Sequence, residues 1–290
     1  MAYKQDEAPD AFALPSWRVI AVTGVDAGAF LHAQTMNDVR ALLPGQWQWN
    51  GWLNPKGRVI ALLALLALDG GAFWMLVPDV PADTLVERLR RYVFRSKVAL
   101  AVRDDLRVEG AFCAPRHAAG AIASIPVGST SDAMEFDMSG QGGPRVIRIT
   151  THDVSTGALQ TSAEPLSWTA CDLAHGLPRL VPDQAEAWTP QMLSLERLGA
   201  YSLRKGCYPG QEIVARTHYL GQSKRALVRI EGEGVTVGRE VRAGDRLLGI
   251  VAAAAGNEGL AVLQTDRVDG GWTCGAADCS ELPLLDGLAR

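Results

Sequence analysis

Two apolar segments separated by a short turn constrain the fold of this chain most strongly. Residues Trp47–Leu53 and Arg58–Leu68 are rich in apolar side chains, and the turn Asn54–Gly57 (Asn-Pro-Lys-Gly) lies between them. Proline restricts the backbone and glycine tolerates positive φ, which are the requirements of a tight turn. We therefore predict an antiparallel hairpin, which Asp69–Gly71 extends into a third strand at Ala72–Val77.

The segments around this hairpin alternate between strand and helix patterns. Trp17–Val22 has the pattern of a strand, and Asp26 follows as a candidate N-cap of a helix. Pro81 precedes an amphipathic pattern, and strands are predicted at Val98–Val102 and Leu106–Phe112. A sheet covered by helices on one side is the simplest arrangement, so the predicted class is α+β.

The predicted secondary structure changes twice in the second half of the chain. Helical patterns occupy Gln191–Leu198 and Gly210–His218. Beyond Lys224, short β patterns are separated by glycine turns every 8 to 12 residues, which is typical of a small barrel or sandwich. Gly140–Gly143 is interpreted as turn glycines, because no strand and helix surround it as in a dinucleotide-binding loop.

The charge balance excludes some classes of partner. The 290 residues include 28 basic and 32 acidic side chains, a net charge of −4, so no overall positive field attracts polyanions. We expect neither nucleic acid nor membrane as a partner. The longest apolar run, Val59–Leu68, is far shorter than the roughly 20 residues that cross a bilayer. Residues 1–15 lack the order of a secretory leader, so we expect a cytoplasmic location.

The five cysteines do not form a dense framework and are expected to be reduced. Cys274 and Cys279 have no neighbouring histidine or second cysteine pair, so we predict no metal site. Cys207 is different, because Arg204 and Lys205 precede it and a helix is predicted to follow it. Cationic neighbours and a helix N-terminus favour a reactive thiolate. A small residue filling a tight turn is the alternative, and the pattern leaves both open.

The segment around Cys207 resembles a known family signature. Residues Lys205–Glu212 read K-G-C-Y-P-G-Q-E, which is similar to the K-G-C-Y-x-G-Q-E signature of the YgfZ family. The resemblance extends over nearly the whole chain. Its further matches lie at Gly24–Asp26, Phe30–Leu31, Gln34, Asn37–Asp38, Pro55–Arg58, Pro190–Glu196, Ile213–Thr217 and Gly221.

This resemblance implies a fold like that of the aminomethyltransferase (T-protein) of the glycine cleavage system. Two α+β domains then surround a central channel, with a C-terminal β-barrel. Residues 1–110 are expected to form the first domain, with a return segment at about 170–223. Residues 111–169 are expected to form the second domain, and residues 224–290 the barrel.

The resemblance also implies a function. It indicates an accessory factor for iron–sulfur cluster assembly or repair that binds tetrahydrofolate or a related reduced folate. Its expected partners are the folate and iron–sulfur client enzymes or assembly proteins, and an interaction module without catalysis is a further alternative. The residues that the motif implicates are Lys205, Gly206, Cys207 (the functional thiol), Tyr208, Gly210, Gln211, Glu212 and Arg216.

Trp17 and Trp168 match tryptophans that folate-binding members place against the ligand. An indole face suits a flat pterin ring, although without the family resemblance two core tryptophans would be the favoured interpretation. Lys205, Arg216, Lys224 and Arg225 are candidates to pair with the glutamate tail of a folate.

Two departures from the T-protein pattern bear on catalysis. Ala61 and Leu62 stand at the positions of its catalytic carboxylates, and neither side chain can transfer a proton. A one-carbon transferase like the aminomethyltransferase therefore remains only as an alternative, with Asp38 as a substitute acid.

The second departure is Ala174, which stands where the T-protein carries a glutamate. Buried donors of a pterin need acceptors. Either Asp172, His175 or a backbone carbonyl supplies them here, or the folate binds weakly.

Overall fold

The computed structural model describes residues 11–124, 134–151, 164–221 and 223–290. These residues form two open antiparallel sheets, a closed barrel and four α-helices. The predicted α+β class is confirmed. None of the helices in the described ranges has the length and apolar character needed to span a membrane.

The first sheet contains the predicted three-strand meander. Its strand order is β3-β4-β5-β2-β6, and all neighbours are antiparallel. The strands are β2 (Trp17–Thr23), β3 (Trp47–Leu53), β4 (Val59–Ala67), β5 (Phe73–Pro78) and β6 (Ala99–Val102).

Strand β4 explains why its sequence is apolar without alternation. All nine of its residues are buried, because the strand separates two hydrophobic cores. Leu62 and Leu66 face the larger core, which also contains Trp47 and Trp49. Leu63 faces the smaller core under the helices. A strand covered on both faces has no solvent side to carry polar residues.

Three of the four α-helices in the described residues lie where the sequence predicts a helix, whereas no prediction covers the one at Leu166–Ala174. Two details of the helix predictions are corrected by the structure. Asp26 precedes the first helix, but its carboxylate accepts a hydrogen bond from the Lys97 backbone N–H (2.7 Å) and does not cap the helix. The prediction of a helix over Gln191–Leu198 is wrong. Ser194 has a left-handed backbone (φ 48°), which interrupts it, and only the 3₁₀ turn Leu195–Leu198 follows. The helices are α1 (Ala27–Gln34), α2 (Ala82–Arg90), α3 (Leu166–Ala174) and α4 (Gln211–Tyr219).

The second sheet has the order β1-β7-β9-β8 and is also antiparallel. Its core side continues into the larger hydrophobic core through Val108, Phe136 and Ile147. The strands are β1 (Phe12–Ala13), β7 (Leu106–Ala111), β8 (Met134–Asp137) and β9 (Val146–Thr151).

The C-terminal β patterns form a closed six-stranded barrel in the order β10-β13-β12-β11-β14-β15. The barrel begins at Arg225, close to the predicted start. Cys274 and Cys279 are buried in its interior, and the described residues contain no cluster of side chains suited to a metal ion. The strands are β10 (Arg225–Gly232), β11 (Glu240–Ala243), β12 (Arg246–Ala255), β13 (Glu258–Gln264), β14 (Trp272–Cys274) and β15 (Ala277–Leu282).

Residues 283–290 leave the barrel and return to both sheets. The indole N–H of Trp49 donates to the Leu288 carbonyl (2.8 Å). The Arg290 guanidinium donates to the Asp137 carbonyl (2.7 Å) and lies over the Trp47 ring. This segment therefore joins the barrel to both sheets.

Candidate functional site

Lys205 connects the signature loop to the C-terminal end of α1. Its side chain is buried, and its ammonium group donates hydrogen bonds to the carbonyls of His32 and Thr35. The last carbonyls of a helix lack partners within the helix, and the helix dipole favours a cation there. Burial lowers the pKa of Lys205 to about 8, although nearby Asp38 opposes this shift. The lysine thus closes α1 and holds the start of the loop.

Tyr208 covers the same lysine. The ammonium nitrogen of Lys205 lies 4.7 Å from the centre of the Tyr208 ring, which is a cation–π geometry. Burial raises the pKa of Tyr208 to about 12, so the phenol is neutral at physiological pH. Its hydroxyl is buried and has no hydrogen-bond partner among the residues described.

Gly210 fixes the other end of the loop against the turn of the first hairpin. Its backbone is left-handed (φ +80°), and a Cβ atom there would lie 2.6 Å from the Asn54 carbonyl oxygen and from the Gly57 Cα. Gly57 is also left-handed, and a Cβ on it would meet Ile213 at 2.8 Å. The two glycine turns therefore require each other, because any side chain would separate them.

Cys207 is exposed between these two fixed points. The sequence predicts that it lies directly before a helix, and this is wrong. Helix α4 begins at Gln211, because Gly210 is left-handed and Pro209 belongs to the preceding turn. A helix dipole acts within its first turn, so it does not account for reactivity at Cys207.

The remaining signature residues differ in their exposure to solvent. Gly206, Glu212 and Arg216 are exposed. The Gln211 amide donates to the Lys205 carbonyl at 3.5 Å, which closes the loop on itself.

A cleft of about 800 Å³ opens beside the signature loop, between the segment after α1, the 3₁₀ turn and the start of the barrel. This volume is suited to a small-molecule ligand. The amide oxygen of Gln191 is buried without a partner in the described part of the chain, while its NH₂ donates to the Val214 carbonyl (2.8 Å). Among the polar residues lining the cleft are Asn37, Gln191, Glu196, Tyr201, Arg204, His218 and Arg225.

Trp17 and Trp168 lie elsewhere, in the larger hydrophobic core. The Arg179 guanidinium lies over the Trp17 ring at 5.5 Å, and that of Arg145 lies over the Trp168 ring at 4.7 Å. Both indole N–H groups are buried and lack partners among the described residues. Neither ring lines the cleft.

Asp172 joins the two arginines that cover the tryptophans. Its carboxylate accepts from Arg145 (2.8 Å) and from Arg179 (2.9 Å), and all three side chains are buried. Arg179 also pairs with Asp79 and Glu164. The sequence contains no local signal for this network, since its members come from distant segments.

The two side chains expected as pterin acceptors, and the carbonyl of Ala174 between them, already have partners within the protein. Asp172 binds the two arginines, and the Ala174 carbonyl accepts from the Leu285 N–H (2.8 Å). His175 Nδ1 lies 2.7 Å from the Cys171 carbonyl, and its Nε2 accepts from the Gly142 N–H (3.2 Å). Burial lowers the pKa of His175, which agrees with this neutral arrangement.

The positions of the T-protein carboxylates provide no acid. Ala61 and Leu62 are buried on β4. The carboxylate of Asp38 accepts from the Arg40 N–H (3.0 Å) and lies 3.3 Å from His32 Nδ1. Burial, followed by the charge of Lys205, lowers the pKa of His32.

Comparison with known proteins places this geometry in a family. The tRNA-modifying protein YgfZ of Klebsiella pneumoniae (strain 342) is 32% identical over 247 residues, which cover 81% of this chain and 74% of that protein. The chain belongs to the YgfZ family. The resemblance inferred from the signature is thereby confirmed, although no family model matches the chain.

A solved structure supports the fold of this YgfZ-family chain. The aminomethyltransferase T of the glycine cleavage system from Bartonella henselae superposes with a TM-score of 0.68. The match covers 94% of this chain and 84% of the other, at 15% sequence identity. The predicted T-protein-like fold is confirmed, and at this identity the likeness concerns the fold alone.

Proposed function

We propose that the protein is a cytoplasmic, tetrahydrofolate-binding accessory factor for iron–sulfur cluster assembly or repair, with Cys207 as its functional thiol. The observation that carries the proposal is the exposed cysteine on a loop fixed at both ends. Membership of the YgfZ family and the aminomethyltransferase-like fold support a folate-related role.

The loop restrains the thiol at the surface. Lys205 anchors its first residue to α1, and Gly210 anchors its end to the hairpin turn. A thiol held in this way is accessible to a client protein and has little conformational freedom to lose on binding. The partners that we propose are iron–sulfur client enzymes or assembly proteins.

We propose the neighbouring cleft as the site of the reduced folate. Arg204 and Arg225 line it, and guanidinium groups bind the carboxylates of a glutamate tail well. The unpartnered Gln191 oxygen is an acceptor for donors of a pterin. Contact of the folate with Trp17 and Trp168 stays a prediction, and it would require the guanidinium groups over both rings to move.

The thiol is tested in a host that lacks its own family member and fails to maintain a cluster-dependent enzyme. Cys207→Ser is expected to abolish rescue without changing thermal unfolding, because the side chain is exposed. Cys113→Ser, which changes a half-buried thiol outside the loop, is the control and is expected to rescue fully. Full rescue by Cys207→Ser would show that the thiol has no role.

A folate-dependent one-carbon transferase is the alternative. Its supporting observation is the Asp38 carboxylate beside His32, since Ala61 and Leu62 offer no acid. Formation of methylenetetrahydrofolate from small amines tests it. Turnover that Asp38→Asn abolishes would favour the transferase over the accessory factor.

We propose RNA as a second partner of the protein. The name of the Klebsiella relative attributes tRNA modification to that protein. The specific observation in this chain is a local surface after α2, where Phe94, Arg95 and Lys97 are exposed together. A net charge of −4 argues against a general attraction for nucleic acid but does not exclude a local basic surface.

A further inference from the structure

We infer that a groove between α1 and the segment after α2 binds single-stranded RNA, with a base stacked on Phe94. The groove has a volume of about 770 Å³ and is called the α1 groove. The inference rests on the RNA partner proposed above and is independent of the folate and of Cys207. The residues of the groove that the argument uses are Asp26, Gln34, Phe94 and Arg95.

Phe94 is the most unusual residue of the groove. Its side chain is 87% exposed, and its backbone is left-handed (φ 41°). A bulky residue rarely adopts this conformation, and such strained positions cluster at binding sites. An exposed aromatic ring offers a stacking surface to any base, which is how proteins bind single strands without reading their sequence. Tyr92, also exposed, lines the same groove.

Unpaired cations stand beside this ring. The segment Glu87–Lys97 contains five basic residues and one acidic residue. Arg88 and Arg91 are engaged in ion pairs. In the described part of the chain, the exposed side chains of Arg95 and Lys97 have no ion-pair partner. These two cations are therefore available for phosphate groups.

Acceptor oxygens also line the groove. The side-chain oxygen of Gln34 is buried and has no partner among the residues described. Asp26 also lines the groove, and its carboxylate accepts from the Lys97 backbone N–H. The buried, unpartnered oxygen of Gln34 suits the N–H groups of a base, and the cations beside Phe94 suit phosphate, so the two kinds of group together fit a nucleotide.

The groove is also connected to the signature loop. Gln34 is the last residue of α1, and the next residue, Thr35, supplies a carbonyl to Lys205. A residue that lines the groove and the anchor of the loop therefore share one end of one helix. An RNA bound in the groove would lie next to the element that positions the loop of Cys207.

Fluorescence anisotropy of the full-length protein with a labelled single-stranded RNA of about ten nucleotides tests the site. Phe94→Ala is expected to weaken binding about fivefold or more, since one stacking contact is lost. Arg95→Gln and Lys97→Gln should each reduce the slope of log K against log salt by about 0.7. Tyr219→Ala and Arg239→Gln, which remove an exposed ring and an exposed cation elsewhere, should change neither quantity.

The outcomes separate the partner from the site. If the wild-type protein does not bind RNA at low salt, the RNA partner is wrong. If it binds RNA and the groove variants bind equally well, the partner stands and the site is wrong. A polyglutamate peptide that displaces the labelled RNA at a lower concentration than unlabelled RNA does would identify the groove as a protein-binding surface instead. Should Phe94→Ala fold poorly, Phe94→Gly retains the left-handed backbone and takes its place.

Discussion

The backbone of Gly210 lies directly against that of Gly57, so that a methyl group on Gly210 would come within 2.6 Å of the Gly57 Cα. This contact joins the signature loop to the first hairpin turn, which is far away in the sequence. It places one end of the loop that carries the exposed Cys207 on a rigid sheet.

Gly210→Ala is expected to destabilise the protein, because both the left-handed backbone and the close approach exclude a side chain. The backbone conformation alone costs about 1–3 kcal/mol. Gly238→Ala is the matched control, since Gly238 has the same φ of +80° with nothing within 4 Å. Denaturant unfolding should show a larger loss for Gly210→Ala. Equal losses would mean that the contact with Gly57 adds nothing.

The buried lysine predicts a specific dependence on pH. The pKa of Lys205 falls from 10.5 to about 8 on folding, so the unfolded chain binds more protons between these values. The free energy of unfolding should therefore rise with pH from about 8 to 10.5, by at most about 3 kcal/mol. Below pH 8 the contribution of this group is constant.

Lys205→Met should remove this rise, whatever its effect on absolute stability. Lys56→Met removes an exposed ammonium group and is the control. Urea unfolding between pH 7 and 10.5 provides the comparison. If the free energy of unfolding changed with pH in the same way in the wild-type protein and in Lys205→Met, the burial of the ammonium group would be contradicted.

Tyr208→Phe separates stability from function at the signature loop. The hydroxyl is buried without a partner in the described residues. Burying a polar group without a hydrogen bond costs about 1–3 kcal/mol, and removing the hydroxyl removes this cost. We expect unchanged or higher stability in thermal unfolding. Rescue of the cluster-dependent enzyme should be retained, because Tyr208 does not line the cleft proposed for the folate. A clear loss of stability would instead indicate a hydrogen bond within the protein.

The Asp172 network predicts a contrast between buried and exposed ion pairs. Asp172→Ala leaves Arg145 and Arg179 without a shared carboxylate in the core, which should cost about 3–5 kcal/mol. Asp104→Ala breaks an exposed pair with Arg18 and should cost less than about 1 kcal/mol. Chemical denaturation of both variants measures the difference. Similar losses would show that the buried network is not tightly coupled.

Local patterns were sufficient for much of the architecture. The hairpin around Asn54–Gly57 follows from turn residues between apolar strands, and the rhythm beyond Lys224 follows from glycine turns. The signature Lys205–Glu212 was sufficient for the family. Ser194 shows the limit of such patterns, because its left-handed backbone ends a helix that the side-chain spacing favours.

By itself, the sequence determined the α+β class, the C-terminal β segment and the family, since these depend on neighbouring residues and on a long motif. Only the tertiary structure decided that the Lys205 ammonium group donates hydrogen bonds to carbonyls at the end of α1. It also decided that Gly210 contacts Gly57 and that Asp172 pairs with two arginines. It also separated Trp17 and Trp168 from the cleft. The physical reason is that burial and contact between distant segments depend on how sheets, helices and barrel pack together, which no short stretch of sequence encodes.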